Sequence, residues 1–365
     1  MRGKLKKGYI GVGGVARLFY QYKGRLDYDP NSPSFSSPYE NMAATSIGNY
    51  ALFGGGKTGK NSVTYSSTVY TINASSTMGT TTSSLGAPKS YLAATVVGNY
   101  ALFGGGNGDY YQKNVDAYDE NLTRTVPSDF SEYKTRLAAT TVGSYALFAG
   151  GHDASTDHKT VYAYNTSLTK TTVTDLSQKR SDLSATTVGG YALFAGGYYG
   201  SSDTYTNIVD AYDASLSRTS APGLNTFLAF MAATTVGNYA LFAGGRNTRS
   251  TSSVCPYVNS YTPSLTWAIN HELTQGKSEL AGATAGEYAI FAGGFISSTM
   301  VSSSVDSWDE SLTYYSSILT VGTGGLVQGR ARLAATNLGN RAIFGPGYNH
   351  ADSTYGKRTD TYLYV

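Results

Sequence analysis

The densest group of side chains that could do chemistry in this 365-residue chain lies in one short stretch. His152, Asp153, Asp157 and His158 crowd together there, and imidazole and carboxylate are ligands for several transition metals. Two histidines in a flexible segment seldom enforce the closed geometry of a structural metal site, which favours a solvated polar loop. We therefore predict no metal site here, and no catalytic residue or cofactor elsewhere.

Other catalytic chemistry has little support in the sequence. The single cysteine, Cys255, has no partner for an internal disulfide, and the four histidines are scattered. No phosphate-cradling or calcium-binding motif is present. We predict that the protein is not an enzyme. The alternative, a carbohydrate-active enzyme of unknown type, would need titratable residues that converge in a pocket.

One sequence phrase recurs seven times, and the fold that it specifies must position the candidate functional residues. It reads MAATSIGNYALFGGG from Met42 and LAATVVGNYALFGGG from Leu92, and close variants follow from Leu137, Leu183, Met231, Leu280 and Leu333. The aligned phenylalanines, from Phe53 to Phe344, are 45 to 53 residues apart. A period of this length indicates a propeller, a solenoid or an array.

Each repeat contains four short strand patterns. A small-residue stretch such as AATTV is followed by a dipeptide suited to a two-residue turn, Gly-Asn, Gly-Ser, Gly-Gly or Gly-Glu, and then by the alternating pattern YALFAGG. A third pattern resembles VDAYD. Fourth strands are predicted to begin near Leu122, Leu168, Leu216, Leu265 and Leu312. The sequence thus predicts an all-β, seven-bladed β-propeller of four-stranded antiparallel blades.

A pair of glycines closes the second strand of six repeats, from Gly55 and Gly56 to Gly293 and Gly294, and Gly345-Pro346-Gly347 replaces it in the seventh. An aromatic residue marks the third strand at Tyr70, Tyr118, Tyr164, Tyr212, Tyr261, Trp308 and Tyr362, and Trp267 marks one fourth strand. In these features the chain resembles Kelch-repeat β-propellers. The fourth-strand tryptophan of that family is otherwise missing, so the repeats are divergent.

A basic residue stands three positions before the phrase in five of the seven repeats, at Lys89, Lys134, Arg180, Lys277 and Arg330. Tyr39 and Leu228 are the exceptions. Such recurrence favours a structural role, for instance hydrogen bonds to loop carbonyls. The Kelch resemblance implies an alternative, in which Lys89, Arg180 and Arg330 bind an acidic peptide at the channel mouth.

Chain length indicates how the propeller closes. Only 21 residues follow Phe344, which is enough for a third strand but not for a fourth. We predict that a strand within residues 15–29 completes the last blade, with VARLFYQY from Val15 as the candidate. The predicted division is therefore an N-terminal segment, 1–14, and a propeller, 15–365.

The N-terminal phrase KKGYIGVGGVARLFY resembles segments of structural proteins of phages and prophages of Gram-positive bacteria. That resemblance implies a virion partner for the N-terminal segment and a location on the virion or the cell exterior. The alternative location is the cytoplasm. A β-hairpin around Gly13-Gly14 that packs on the propeller is the alternative role for this segment.

The loops after the paired glycines differ in every repeat and are rich in Tyr, Ser, Gly, Asn and Asp, as antibody paratopes are. In an antiparallel blade these loops share one face of the propeller with the connections between blades. Candidate ligand-binding tyrosines in these loops are Tyr110, Tyr111, Tyr198, Tyr199, Tyr205, Tyr257, Tyr348 and Tyr355.

Composition narrows the range of partners. The formal net charge is only +3 and the basic residues are scattered, so we expect no nucleic-acid partner. No apolar stretch is long enough to insert in a membrane. We predict a non-enzymatic recognition module, tail-associated on a phage or prophage particle, that binds a host-surface glycan or protein through the variable loops. An intracellular Kelch-type scaffold for an acidic peptide is the alternative.

Overall fold

A computed structural model describes residues 5–12, 15–22, 24–59, 62–200, 204–316, 325–349 and 355–365. Its blades are seven four-stranded antiparallel sheets, which confirms the predicted propeller. Each first strand contacts the first strands of both neighbouring blades, and the first strand of blade 7 contacts that of blade 1. The first strands therefore line a closed ring. No helix among the described residues is long and apolar enough to span a membrane.

The four strands of each blade follow one another in the sheet from the innermost strand outward. Blade 1 contains Glu40–Ile47, Tyr50–Thr58, Val69–Asn73 and Met78–Thr80, and blade 2 contains Ala93–Val97, Tyr100–Gly104, Val115–Tyr118 and Arg124–Thr125. Blade 3 contains Ala138–Val142, Tyr145–Ala149, Val161–Asn165 and Lys170–Val173, and blade 4 contains Ser184–Val188, Tyr191–Ala195, Val209–Asp213 and Arg218–Ala221. Blade 5 contains Ala232–Val236, Tyr239–Ala243, Val258–Tyr261 and Trp267–Ile269, and blade 6 contains Ala281–Ala285, Tyr288–Ala292, Val305–Asp309 and Tyr314–Ser316. Blade 7 contains Ala335–Leu338, Arg341–Phe344, Asp360–Tyr364 and, from the N-terminal side, Leu26–Tyr28.

Short additional strands lie outside the four-stranded pattern of the blades. Thr64–Tyr65 pairs with the end of the second strand of blade 1. Two-stranded hairpins form in the loops of blade 4, between Tyr198–Tyr199 and Thr204–Tyr205, and of blade 7, between Gly347–Tyr348 and Tyr355–Gly356. These hairpins lie in the variable loops rather than in the blades.

Glycines account for two features of the repeated phrase. Gly98 has φ 52° in the two-residue turn between Val97 and Tyr100, as predicted for this hairpin. Gly105 has φ 68°, and a Cβ there would lie 2.4 Å from the backbone oxygen of Lys134 in the next blade connection. The paired glycines are therefore needed because blades approach each other closely at that point.

Blade-to-blade packing explains the small and aromatic residues. The Oγ1 atoms of Thr95 and Thr141 lie 2.9 Å apart across two neighbouring first strands. Phe103 is fully buried and packs edge-on against Tyr118 at a ring distance of 6.1 Å. The third-strand aromatic predicted at Tyr70 is wrong by two residues. In blade 2 Tyr118 pairs with Ala101, and in blade 1 the equivalent alanine, Ala51, pairs with Ile72.

Closure of the ring confirms the N-terminal strand and corrects its position. Leu26–Tyr28 pairs with Asp360–Tyr364, with Tyr28 opposite Tyr362. The candidate VARLFYQY does not supply this strand, since Val15–Tyr22 pairs along its whole length with Leu5–Val12. Residues 1–4 and 13–14 lie outside the described part of the chain. The division at residue 14 stays a prediction.

The fourth strands also begin later than predicted. Leu122, Leu168, Leu216, Leu265 and Leu312 all occupy the preceding turn, with φ between 57° and 65°. In blade 2 the side chain of Asp119 accepts hydrogen bonds from the backbone N–H groups of Asn121 and Thr123 across this turn. The fourth strand therefore starts at Arg124, two residues after the leucine.

Candidate functional site: the variable face and the channel mouth

The two ends of the propeller differ in composition and exposure. We call the end formed by the second-to-third loops and the blade-to-blade connections the variable face, and the end formed by the other turns the turn face. Seven of the nine exposed large hydrophobic residues in the described part of the chain lie in the loops and connections of the variable face, Ile269 lies in a strand, and Val365 follows the third strand of blade 7 at the turn face. Those seven are Val63, Tyr110, Val126, Tyr133, Phe227, Met300 and Val327.

Seven residues, one immediately before the repeated phrase in each blade, surround the central channel. We call them the mouth ring: Asn41, Tyr91, Arg136, Asp182, Phe230, Glu279 and Arg332. All have φ between 50° and 60°, a region that non-glycine residues seldom occupy. Each backbone N–H donates to the carbonyl oxygen of the ring residue in the preceding blade at 2.8–3.1 Å. A closed ring of seven hydrogen bonds therefore fixes the mouth.

A second ring lies just outside the first. We call it the collar, and it contains the residue that follows the glycines in each blade: Lys57, Asn107, His152, Tyr198, Arg246, Phe295 and Tyr348. Collar residues pair through the backbone with the residue before a mouth-ring residue, as in the reciprocal bonds of 2.7 and 2.8 Å between Asn107 and Ser90. Both rings thus have a constant backbone and side chains that differ from blade to blade.

Paired charges dominate the electrostatics of the mouth. Arg136 Nη1 lies 3.3 Å from Asp182 Oδ2, while Arg332 reaches Glu279 at 2.6 Å and Glu40 at 3.1 Å. Burial raises the pKa of Asp182 to about 6, against the lowering effect of Arg136, and the charge of Glu279 raises it further. The carboxyl group of Asp182 is therefore partly protonated near pH 6.

Aromatic rings alternate with these charges. The guanidinium of Arg246 lies 3.8 Å from the centre of the Phe230 ring, and that of Arg136 lies 5.0 Å from the centre of Tyr91. The mouth encloses about 210 Å³, which is below the ~300–1,000 Å³ of sites for drug-sized ligands. This arrangement has the size and polarity to take a small polar group.

The basic positions lie inside the blades and not at the channel mouth. Lys89, Arg180 and Arg330 have no exposed side-chain surface, and they form ion pairs with Asp116, Asp210 and Asp360 at 3.0, 2.8 and 2.7 Å respectively. Burial lowers the pKa values of Lys89 and Arg180, and the paired carboxylates only partly oppose this. These ion pairs favour the structural alternative, in which the basic residues join a blade connection to a third strand. A role of Lys89, Arg180 and Arg330 in binding an acidic peptide stays a prediction.

Two blades without the ion pair change both partners. Blade 5 has Leu228 at the basic position and Asn259 in place of the aspartate, and blade 1 has Tyr39 and Tyr70, whose hydroxyls lie 3.2 Å apart. Blade 3 keeps the basic residue: Tyr162 takes the aspartate position, and Lys134 turns to Glu132 at 3.3 Å. The pair is thus part of the scaffold, and blades 1 and 5 replace it as a unit.

The candidate tyrosines do not form one patch. Tyr110 is 81% exposed, and Tyr111 is half-buried in the same loop. Tyr198 and Tyr348 belong to the collar, and Tyr257 packs against the hydrophobic core between blades 4 and 5.

Two further candidates, Tyr199 and Tyr205, line a separate cavity on the variable face, and Tyr205 is only 8% exposed. The side chain of Tyr355 lies outside the described part. Whether any of these tyrosines binds a ligand stays a prediction.

The His/Asp loop forms two separate pairs rather than one cluster. His152 Nδ1 lies 3.2 Å from Asp157 Oδ1, and His158 Nε2 lies 3.1 Å from Asp153 Oδ2. Asp157 also accepts hydrogen bonds from Ser181 and from the backbone of Gly200. These bonds order the loop, and among the described residues no three metal-ligating side chains converge.

The mouth ring and most of the collar were not predicted from the sequence. Their side chains vary, and each residue lies immediately before or after a constant segment. A search for constant positions in the repeat therefore passes over them. The pattern that could have indicated these residues is the variation at the position immediately before the phrase. Along the chain that position holds Asn, Tyr, Arg, Asp, Phe, Glu and Arg.

Comparisons with known proteins support the fold and no more. No protein-family model and no curated protein matches the chain. The solved structure of YjhT is similar, with a TM-score of 0.58, 12% sequence identity, and coverage of 90% of this chain and 96% of that chain. At this identity the likeness shows a shared fold alone, so this chain is a seven-bladed β-propeller similar in architecture to YjhT.

Proposed function

We propose that the protein is a non-enzymatic recognition module that binds a surface glycan or protein through its variable face. A β-propeller is usually a binding or scaffold module, and here the blade frame is constant while one face differs in every repeat. The observation that carries the proposal is the segregation of exposed hydrophobic side chains, among them Tyr110 and Met300, to that face.

The backbone of the mouth ring supports the same face. Its seven residues are joined by a closed ring of hydrogen bonds that fixes their left-handed φ values. A stiff backbone ring that presents unlike side chains suits recognition, because preorganised groups lose little entropy on binding. We also propose, from the paired glycines, that the repeats are divergent Kelch repeats.

The phage part of the proposal rests on the N-terminal phrase. The backbone of Leu5–Val12 and Val15–Tyr22 forms a hairpin that is separate from the blades, which suits an attachment element. The gene neighbourhood tests this part: flanking genes for tail proteins would support it, and flanking genes for cytoplasmic metabolism would contradict it.

One observation favours a second candidate, a carbohydrate-active enzyme at the channel mouth. Asp182 has a pKa raised to about 6 and shares the mouth with Glu279, and a carboxyl tuned in this way is typical of a general acid. Turnover of chromogenic glycosides that is lost in Asp182→Asn would establish this candidate in place of the first.

A binding assay tests the recognition proposal. We expect the purified protein to bind glycans on an array or the surface of Gram-positive cells, and Tyr110→Ala to weaken that binding. Gly190→Ala on the turn face is the control, since a Cβ there meets nothing within 4 Å. The absence of binding to every glycan, cell and surface protein tried would overturn the proposal.

A further inference from the structure

A second cavity opens on the variable face beside the loop of blade 4. It encloses about 610 Å³, within the ~300–1,000 Å³ typical of ligand sites. We call it the blade-4 cleft; the lining residues that matter for its chemistry are Gln178, Tyr199, Tyr205, Asn207, Phe227 and Asn247. It is separate from the channel mouth and larger than it.

Three aromatic side chains form the apolar part of the cleft together with Ile208. Phe227 is 56% exposed at the connection to blade 5, although its burial would be favourable by about 2 kcal/mol. Tyr199 and Tyr205 come from the two strands of the loop hairpin, where Tyr198 pairs with Tyr205. The ring of Tyr205 lies 5.9 Å from that of Tyr198, which stacks on Phe230 of the mouth ring. Contacts through Tyr198 and Phe230 therefore connect this wall of the cleft to the mouth ring.

Neutral polar groups form the rest of the lining. Gln178, Asn207, Asn247 and three threonines line the cavity, and no lining residue carries a carboxylate, an amine, a guanidinium or an imidazole. The Nδ2 of Asn207 donates to the carbonyl oxygen of Leu224 at 3.2 Å, which fixes that amide. A charged ligand would lose its hydration here without gaining a counter-charge.

One polar atom is left without a partner. Gln178 Oε1 is buried and accepts no hydrogen bond from any described residue. A buried acceptor without a donor costs about 1–3 kcal/mol. A rotation of the Gln178 amide toward the cavity would let a ligand hydroxyl donate to this oxygen and recover that free energy.

We propose that the blade-4 cleft binds a neutral oligosaccharide. This inference rests on the proposed recognition function and names its ligand class. A pyranose has an apolar face of C–H groups and a rim of hydroxyls that both donate and accept. The apolar face matches the rings of Phe227 and Tyr199, and the rim matches the amides and the unpartnered oxygen of Gln178.

Two variants test the cleft on an array that carries neutral, sialylated and sulfated glycans. Phe227→Ala removes an exposed ring, and Gln178→Met removes the acceptor while keeping the volume of the side chain. We expect wild type to select neutral glycans and each variant to bind about 10-fold to 30-fold more weakly, as for the loss of a central contact. Ile269→Ala, which removes a similarly exposed apolar side chain from the fourth strand of blade 5 outside the lining of the cleft, is the matched control and should bind as wild type does.

The outcomes separate the cleft from the wider proposal. Neutral-glycan binding that both cleft variants retain would overturn the cleft as the site and leave the recognition function standing. Selection of charged glycans, or binding to a surface protein alone, would overturn the neutral-sugar class but not recognition. The absence of binding to any glycan, cell or surface protein would overturn both. Melting temperatures equal to wild type show that the variants are folded.

Discussion

Lys89 Nζ lies 3.0 Å from Asp116 Oδ2, and neither side chain has any exposed surface. The same ammonium lies 3.2 Å from Asn114 Oδ1, and Asp116 also binds Arg124 and the backbone N–H of Gly86. Lys89, a candidate ligand-binding residue in the sequence, thus forms a buried ion pair that joins a blade connection to a third strand. The scaffold uses this basic residue inside the blade, so the proposed recognition would depend on other residues.

Removal of one partner of this pair should destabilise the protein strongly. Asp116→Ala leaves the Lys89 ammonium buried without a carboxylate, and we expect unfolding to become easier by about 3–5 kcal/mol in chemical denaturation. The double variant Lys89→Leu with Asp116→Asn copies the natural pair Leu228 and Asn259 of blade 5, and should lie within about 1 kcal/mol of wild type. Equal losses in the two variants would contradict a scaffold pair that can be replaced as a unit.

Ring closure should depend on Leu26–Tyr28 and not on the N-terminal hairpin. Deletion of residues 1–29 removes this strand and Asp29, whose carboxylate binds Arg341 at 3.0 Å. We expect the melting temperature to fall by about 5 °C or more. Deletion of residues 1–23 keeps the closing strand and is the control. An unchanged melting temperature after the longer deletion would show that Leu26–Tyr28 is not needed to close the ring.

The paired glycines should tolerate no side chain. Gly105→Ala forces a left-handed alanine with its Cβ 2.4 Å from the oxygen of Lys134, and we expect a loss of about 2 kcal/mol or more. Gly190→Ala, in an open turn, should change stability by less than about 0.5 kcal/mol. Denaturation midpoints measure both, and similar values for the two variants would refute the close approach of the blades.

Asp182 should make stability depend on pH in a defined direction. Its pKa is about 6 in the fold, above the ordinary aspartate value of 3.8, so between these values the folded state holds a proton that the unfolded state has lost. Stability contributed by Asp182 is therefore present below about pH 4 and lost as the pH rises through about 6.

Melting curves of wild type and Asp182→Asn test that direction. The asparagine variant does not titrate, so we expect its stability relative to wild type to rise between about pH 4 and about pH 7. A stability difference that stays constant, or that shifts the other way, would show that Arg136 rather than burial controls the carboxyl group.

The sequence predicted the frame well because the frame repeats. Seven copies of the phrase around Phe103 and its equivalents specify the strands, and residue counting after Phe344 predicts closure from the N terminus. The closing strand itself was misplaced, because Val15–Tyr22 and Leu26–Tyr28 are both strand-like and a pattern does not say which partner a strand takes.

The site was harder to predict for a physical reason. The mouth ring brings together residues about 45 to 53 positions apart whose side chains share nothing but a backbone conformation. The blade-4 cleft joins two connections and two loops, and only the fold brings Phe227 and Tyr199 into the lining of one cavity. By contrast, the partners of the basic residues were open to inference, since Leu228 and Asn259 depart together from the pattern of Lys89 and Asp116.

A comparison of the two faces tests the central claim most directly. One variant carries Tyr110→Glu, Tyr133→Glu and Phe227→Glu, all exposed on the variable face and the last in the blade-4 cleft. The other carries Asn99→Glu, Ser144→Glu and Asn238→Glu, all exposed on the turn face, and the two have the same change in charge. Binding to the cell surface or glycan that wild type recognises is measured for both. We predict that the first variant loses binding and the second keeps it. Loss of binding in the turn-face variant, with the variable-face variant unaffected, would contradict the account.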